Sequence, residues 1–346
     1  MKTKLITFTI PSYNSQDYMR HVIDNLVAVG DEIEVIIVND GSKDDTGKIA
    51  DEYQKKYPNI VKAIQKENGG HGSGVMAGIH HASGIFYKVV DSDDWVETKD
   101  VIDMLGLIKK HMAEGINIDL YITNYVYEHA ADSSSYVMHY RKCLPHETPF
   151  TWEEMKHVKL ETVFLMHSLM YRLDKLKASG MELPNHTFYV DDIYAYTPLP
   201  HMQKMFYHDL DFYHYFIGRE DQSINYGTMC KRYEQQMRVF KIMFTSYSHA
   251  ELKKLPTPLY KYMWHFLMII GGVTIMTIVG TKEDKETRAK VFKEYWQELK
   301  TIDKALYNKF RYRSLAHFAF VLPGYNLKSF ASRKVYQGYQ KKLKLG

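Results

Sequence analysis

Three carboxylates stand within four positions in Asp91-Ser92-Asp93-Asp94, directly after an apolar run at residues 86–90. Acids crowded at a strand end repel one another unless a cation lies among them, and oxygen donors select a hard divalent ion such as Mg2+ or Mn2+. A capping or turn cluster is the plainer use of the same residues, since Asp is common in loops. A further acid, Asp40, follows the apolar run 33–39 within Asn39-Asp40-Gly41-Ser42-Lys43-Asp44-Asp45-Thr46. Gly41 lets backbone approach a ligand closely, and Asp44 or Asp45 can cap the next helix. Asp40 is then left pointing into the crevice that residues 91–94 would share. A third stretch, Asn68-Gly69-Gly70-His71-Gly72-Ser73-Gly74, places four glycines in seven residues ahead of a helix. Such a loop suits a phosphate or sugar held at a helix N-terminus, and equally a surface linker.

These residues need elements that bring them to one edge, and the first 130 positions supply an alternating pattern. Residues 5–10 read as a strand, and 16–29 as a helix with Tyr18/Met19, Val22/Ile23 and Leu26/Val27 on one face. The run 33–39 is a nearly continuous apolar strand. Helix over 44–57, strand over 60–64, helix over 74–82, strand over 86–90, helix over 98–112 and strand over 118–126 follow. This is the βαβ pattern of a mostly parallel sheet with helices on both faces, where ligands bind at the carboxyl ends of strands. From about residue 145 the pattern loosens into a helix-like stretch at 152–173, a polar segment at 179–187 and an aromatic run from 188 to 216. Beyond 222 it turns largely helical. Residues 263–280 carry no charge and reach the lower edge of membrane-span length. A buried or interfacial helix is the preferred reading over a span.

At 346 residues the chain is long enough for about two domains. Its 45% hydrophobic and 25% charged content excludes disorder, collagen-like repeats and a multi-span membrane protein. Cys143 and Cys230 have neither CxxC nor His/Cys spacing, so no disulfide framework or zinc knuckle is expected and a reducing, cytoplasmic compartment fits. The first apolar run is too short for a signal-peptide core and ends in Pro11-Ser12-Tyr13-Asn14, so it reads as a strand rather than an export signal. The net charge of +4 is unevenly placed. Residues 304–346 hold ten Lys/Arg and no Asp/Glu, and taking those ten from the chain's 45 leaves 35 basic against 41 acidic groups before residue 304. With Tyr325, Phe330, Tyr336 and Tyr339 interleaved, this tail suits peripheral contact with an anionic membrane face. A solvated basic helix is the alternative, and no nucleic-acid-binding motif accompanies the charge.

Taken together, Pro11-Ser12-Tyr13-Asn14, Asn39-Asp40-Gly41-Ser42 with Thr46, Asn68-Gly69-Gly70, Ala82-Ser83-Gly84 and Asp91-Ser92-Asp93-Asp94 closely resemble the family 2 glycosyltransferases of GT-A fold. The resemblance is detailed over about residues 3–130 and thinner to about 226. It implies an α/β, mostly parallel sheet flanked by helices, a catalytic domain over 1–226, and a largely helical C-terminal domain over 227–346 with the basic tail. It implies that Pro11, Tyr13, Asn14 and Asp40 line the nucleotide pocket, and that Asn68, Gly69, Gly70 and His71 form the cradle. Asp91 and Ser92 would hold ribose or donor sugar, and Asp93 would bind Mn2+ or Mg2+. The base expected downstream falls on Tyr189-Val190-Asp191-Asp192-Ile193-Tyr194, with Asp where Glu is usual at 191. Asp192 is assigned as general base and Asp191 as its neighbour, two Asp capping a helix being the alternative. Arg219, in a segment that follows the base in many bacterial members, would pair with diphosphate or clamp an acidic loop. The tyrosines at 189, 194, 196, 207, 213 and 215 read as sugar-stacking faces or as core, and His186 as an acceptor contact. Many members carry Ala-Arg-Asn after the Gly-rich loop, whereas Val75-Met76-Ala77-Gly78 stands here, leaving His71 or Lys88 to supply nearby charge. The Gln-x-x-Arg-Trp motif of processive polymerases is absent.

The implied activity is inverting, metal-dependent transfer from a nucleotide-diphospho sugar, a UDP-sugar foremost, to a hydroxyl of a glycan or lipid-linked acceptor in envelope polysaccharide synthesis. It would take place in the cytoplasm or on the inner face of the plasma membrane. A sugar-phosphate or glycerol-phosphate transferase is a neighbouring alternative. A catalytically silent GT-A module that binds sugar nucleotide or partner proteins at the membrane is the alternative from another class.

Overall fold

The computed structural model describes residues 3–129, 134–156, 158–159, 162–217 and 225–313, and from there to the end residues 320–322, 324, 328, 330, 333–334 and 337–338. The chain divides into two compact units, one formed by residues 1–156 and 164–217 and the other by 157–163 and 218–346.

The first unit begins with β1 (Ile6–Ser12), α1 (Met19–Val27), β2 (Ile33–Asp40), α2 (Thr46–Lys56), β3 (Val61–Lys66), α3 (His71–His81), β4 (Phe86–Val89) and α4 (Thr98–Ala113). Every residue of β1 is buried, as is almost all of β2, which is why both read as near-continuous apolar runs: helices cover both faces of the sheet. On α1, Met19, Val22, Ile23, Leu26 and Val27 are buried, and on α4 Val101, Met104, Leu105 and Ile108, one apolar stripe each. Helix α3 lies close on β1, because a side chain at Gly78 would meet Thr9 at 2.3 Å.

After these come β5 (Leu120–His129), β6 (Ser135–Met138), β7 (Pro149–Phe150), β8 (Leu169–Arg172), α5 (Leu173–Ala178), α6 (Asp191–Tyr196) and β9 (Met205–Ile217). The strands run in the order β3-β2-β1-β4-β8-β5-β9-β7, with β6 on β5. The stretch β3-β2-β1-β4 is parallel, and beyond it β8 is antiparallel to β4 and β5 while β9 runs parallel to β5. Register sets Ser12 beside Asn39 and Asp40 beside Lys66, so the loops leaving the parallel strands emerge along one edge.

Among its described residues the stretch 152–173 is not one helix. It holds two single turns of 3-10 helix, at Trp152–Glu154 and Met166–Ser168, before β8. Its apolar residues imitate helical spacing, but Lys88 of β4, fully buried, turns its ammonium to the carbonyls of Met166, His167 and Leu169 and holds the backbone at residues 166–169 in a non-repeating path.

The second unit is helical: α7 (Tyr226–Lys231), α8 (Tyr233–Ser246), α9 (His249–Leu252), α10 (Thr257–Gly280), α11 (Lys285–Ile302) and α12 (Lys304–Arg313). Its core includes Trp296 of α11 stacked on Phe310 of α12, with ring centroids 5.1 Å apart, and Phe240 of α8 beside both. Helix α10 is long and apolar enough to cross a membrane, and 67% of its most apolar window is buried within the chain. Cys143 and Cys230 are both buried free thiols.

Candidate active site

Three strand-end loops of the first unit are stitched together by their own side chains. After β1, Pro11 is buried beneath α3, while Tyr13 and Asn14 are exposed. Asn14, with φ of 51°, donates its N–H to Ser42 Oγ (3.0 Å) and accepts the N–H of Lys43 at Oδ1 (2.9 Å). Ser15 N–H donates to Thr46 Oγ1 (2.7 Å), and the Ser15 hydroxyl meets that of Ser92 at 2.8 Å in a buried contact. The loops after β1, β2 and β4 therefore form one connected surface.

Asp40 builds the glycine-rich loop. One carboxylate oxygen accepts Lys66 Nζ (2.6 Å) and Gly69 N–H (2.9 Å), the other Gly70 N–H (2.7 Å) and Asn68 Nδ2 (3.2 Å). A nucleotide base reaching Asp40 would share a carboxylate already engaged by four donors. Gly70 has φ 83° and ψ 171°, a conformation essentially reserved to glycine. The segment before α6 presses against it: His186 N–H donates to Gly69 O (2.6 Å), and a Cβ on Gly70 would lie 3.1 Å from the His186 nitrogen. The loop thus ties Asp40 to the turn that presents Asp191 and Asp192.

The acidic loop is pinned from β9. Tyr213 OH donates to Asp94 Oδ2 (2.6 Å) and accepts the N–H of Asp91 (3.1 Å), and Phe216 N–H donates to Asp94 Oδ1 (2.9 Å). Trp95 exchanges both backbone hydrogen bonds with His214 and stacks on its ring at 5.0 Å. Asp91 pairs with His71 Nε2 at 2.7 Å, and Asp93 sits half-buried between Asp91 and Asp94. Burial pushes the Asp94 carboxyl well above its usual range, and the charges of Asp93 and Asp91 push it further. A cation placed among these carboxylates would relieve that repulsion. One ring nitrogen of His167 lies with Asp91 and Asp94 oxygens, all within 4.8 Å of one another. Two carboxylates and an imidazole suit Mn2+, and the carboxylates alone Mg2+. Burial lowers the His167 imidazole to about 4, so at neutral pH its ring is neutral. Lys88 is drawn down to about 7 by burial, against the attraction of Asp91.

Asp191 and Asp192 open α6, half-buried. Burial raises Asp191, His71 opposes that rise and Asp91 adds to it, so the three groups share one field. Burial and then the neighbouring Asp191 raise Asp192 well above the usual range. For His71, the charge and hydrogen bond of Asp91, with Asp191 and Asp93 behind them, outweigh burial and raise the imidazole. These groups offer an imidazole to an anionic ligand at His71 and carboxyls to a proton at the Asp pair.

Of the six tyrosines, 194, 196, 207 and 213 are fully buried and belong to the core, whereas Tyr189 and Tyr215 are half-buried. His186 is exposed beside the glycine loop. Arg219 lies outside the described residues. Sequence reasoning missed His167 altogether and did not find the pinning role of Tyr213. A lysine inside the apolar strand Phe86-Tyr87-Lys88-Val89 was the available clue, since a buried ammonium must find acceptors nearby.

Residues 7–172 match the description Glycosyl transferase family 2. EpsH of Bacillus subtilis, named as a glycosyltransferase, is 39% identical over 129 residues, 37% of this chain and 36% of EpsH. The minor teichoic acid biosynthesis protein GgaB of the same organism is 33% identical over 108 residues, 30% of this chain and 12% of GgaB. The matches to EpsH and GgaB thus span little more than a third of those proteins at most. The crystal structure of S. aureus TarS 1–349 in complex with UDP-GlcNAc shares the fold at a TM-score of 0.60 and 18% identity, over 98% of this chain and 92% of that one.

Proposed function

Because residues 7–172 match glycosyl transferase family 2, we propose that the chain transfers a sugar from a nucleotide-diphospho sugar, a UDP-sugar foremost, to a hydroxyl of a glycan or lipid-linked acceptor in cell-envelope polysaccharide synthesis. The observation that carries this reading is the meeting of two acidic segments distant in sequence, residues 91–94 and Asp191–Asp192, around His71 at the carboxyl edge of the sheet. Support for the donor comes from the shared fold with a TarS fragment bound to UDP-GlcNAc, and for the envelope setting from GgaB.

Asp192 takes the proton of the acceptor hydroxyl as its oxygen bonds to the anomeric carbon and the bond to the diphosphate breaks, with inversion at that carbon. A positioned base contributes about 10²–10⁴ in rate. Asp191 holds the acceptor side of the site and keeps Asp192 basic. His71 and the first turn of α3 meet the diphosphate, and the surface at Pro11, Tyr13 and Asn14 meets the nucleoside. Asp40 acts by shaping the Asn68–Gly70 loop. The acidic loop, with Asp93 as the residue that the resemblance points to, would hold Mn2+ or Mg2+, which when bound neutralises charge on the departing diphosphate. Contact with an anionic membrane through the basic tail would bring the chain to the membrane that carries a lipid-linked acceptor.

The test is a melting screen of nucleotides and UDP-sugars with and without Mn2+, followed by donor hydrolysis. A ligand at 100 times its Kd adds about 2.7 kcal/mol of stability. Mn2+-dependent stabilisation by one nucleotide class, with slow hydrolysis abolished in Asp93→Ala, supports transfer. Stabilisation without hydrolysis in either form is the behaviour of a silent module, and no stabilisation by any nucleotide removes the donor assignment.

A further inference from the structure

His167 arrives at the acidic loop from a different part of the chain, in the single 3-10 turn before β8, and it is held from several sides. The residue is 5% exposed. Lys88 donates to its carbonyl and to those of Met166 and Leu169, fixing the backbone on both sides. The ring stacks on Tyr215 with centroids 4.4 Å apart and meets Tyr213 edge-on at 4.8 Å. Nδ1 is buried and has no hydrogen-bond partner among the described residues. An imidazole held this firmly with an unmatched nitrogen costs free energy unless something completes it. Its ring lies with Asp91 and Asp94, a nitrogen and two carboxylate oxygens within 4.8 Å of one another. Asp94 gives one hydrogen bond's worth of each oxygen to Tyr213 and Phe216, and Asp91 gives Oδ1 to His71, so each carboxylate keeps lone pairs for a cation.

We infer that His167 is a ligand of the divalent ion, adding a nitrogen donor to the carboxylates of Asp91 and Asp94. This rests on the transfer reading above, which supplies the need for an ion, and it adds a residue that the acidic motif does not contain. It also sets a preference, because an imidazole in the ligand set favours Mn2+ over Mg2+. Lys88 is then a positioning residue that holds the His167 backbone. Its own ammonium is turned to carbonyls and not to the carboxylates.

The experiment uses Mn2+ alone, without nucleotide, on the whole chain, read by pulsed electron paramagnetic resonance. The wild type is expected to show modulation from a directly bound ¹⁴N. His167→Gln should lose it, with Mn2+ affinity down about tenfold or more. His71→Gln, which removes the other imidazole on Asp91, should keep it. Bound Mn2+ without nitrogen coupling in the wild type, or coupling that survives His167→Gln, overturns the inference and leaves the transfer reading standing. Coupling lost in His71→Gln overturns it likewise. Absence of any bound Mn2+ overturns both the inference and the metal in the proposed reaction. Should His167→Gln fail to fold, as seen by its metal-free melting, the wild type and His71→Gln spectra still decide the matter.

Discussion

Gly70→Ala tests whether the glycine loop is a working part of the site. At φ 83° and ψ 171° an alanine pays about 1–3 kcal/mol for backbone conformation alone. The new Cβ would also sit 3.1 Å from the nitrogen and 3.2 Å from the Cα of His186, backbone atoms that cannot rotate aside. Crowding of this kind adds about 1–3 kcal/mol, so the two together come to about 2–6 kcal/mol, with a middle value near 4 kcal/mol. The loop can escape by leaving Asp40 and swinging away from His186. The chain's melting temperature should then fall only by a few degrees while the site conformation becomes rare. At about 1.4 kcal/mol per tenfold, donor affinity should weaken by about several hundredfold. The assay is calorimetric titration of a UDP-sugar with Mn2+, beside thermal melting. Gly180→Ala is the control: its φ is 64°, an added Cβ would meet nothing within 4 Å among the described residues beyond its chain neighbours, and it should cost about 1–2 kcal/mol of stability without touching donor binding. Donor affinity in Gly70→Ala within threefold of wild type would refute the reasoning.

Other consequences can be measured separately. Turnover should fall with decreasing pH along a limb set above the ordinary Asp range of about 3.9, because burial and Asp191 raise Asp192 and the base works only deprotonated. A limb at or below that range in a pH–rate profile would remove Asp192 as base. Tyr213→Phe takes away the hydroxyl that joins Asp94 to Asp91 N–H, and denaturant unfolding should show a loss of about 1.5–3 kcal/mol with weaker Mn2+ binding. Unchanged Mn2+ affinity would show that the acidic loop keeps its shape without β9. Deleting residues 314–346, and not from 304, should weaken binding to anionic liposomes while sparing donor hydrolysis, since Leu306 and Phe310 of α12 belong to the core. Unaltered liposome binding would defeat the membrane role of the tail.

The first 130 residues were legible because each element there is specified locally. Apolar runs such as Ile33–Asp40 and stripes such as Val101, Met104, Leu105 and Ile108 announce buried strands and covering helices, and the strand-end acids follow directly. The region 152–173 was not legible, because its turn before β8, at residues 166–169, is fixed by Lys88 from β4 and not by its own periodicity. The aromatic run that could have been a sugar platform is largely β9 and α6 packed into the core, with Tyr213 spending its hydroxyl on Asp94. His167 was invisible for a related reason. Its partners Asp91 and Asp94 reach it only through the insertion of β8 between β4 and β5, a pairing that no local pattern encodes.

The most direct measurement of the central claim, that the acidic loop binds and the Asp pair reacts in one site, compares donor affinity with turnover in two variants. Asp192→Asn should keep the Kd for UDP-sugar with Mn2+ within about threefold while kcat falls by about 10²–10⁴, and Asp93→Ala should lose donor binding itself. Turnover that survives in Asp192→Asn, or donor binding that is indifferent to Asp93→Ala, would contradict it.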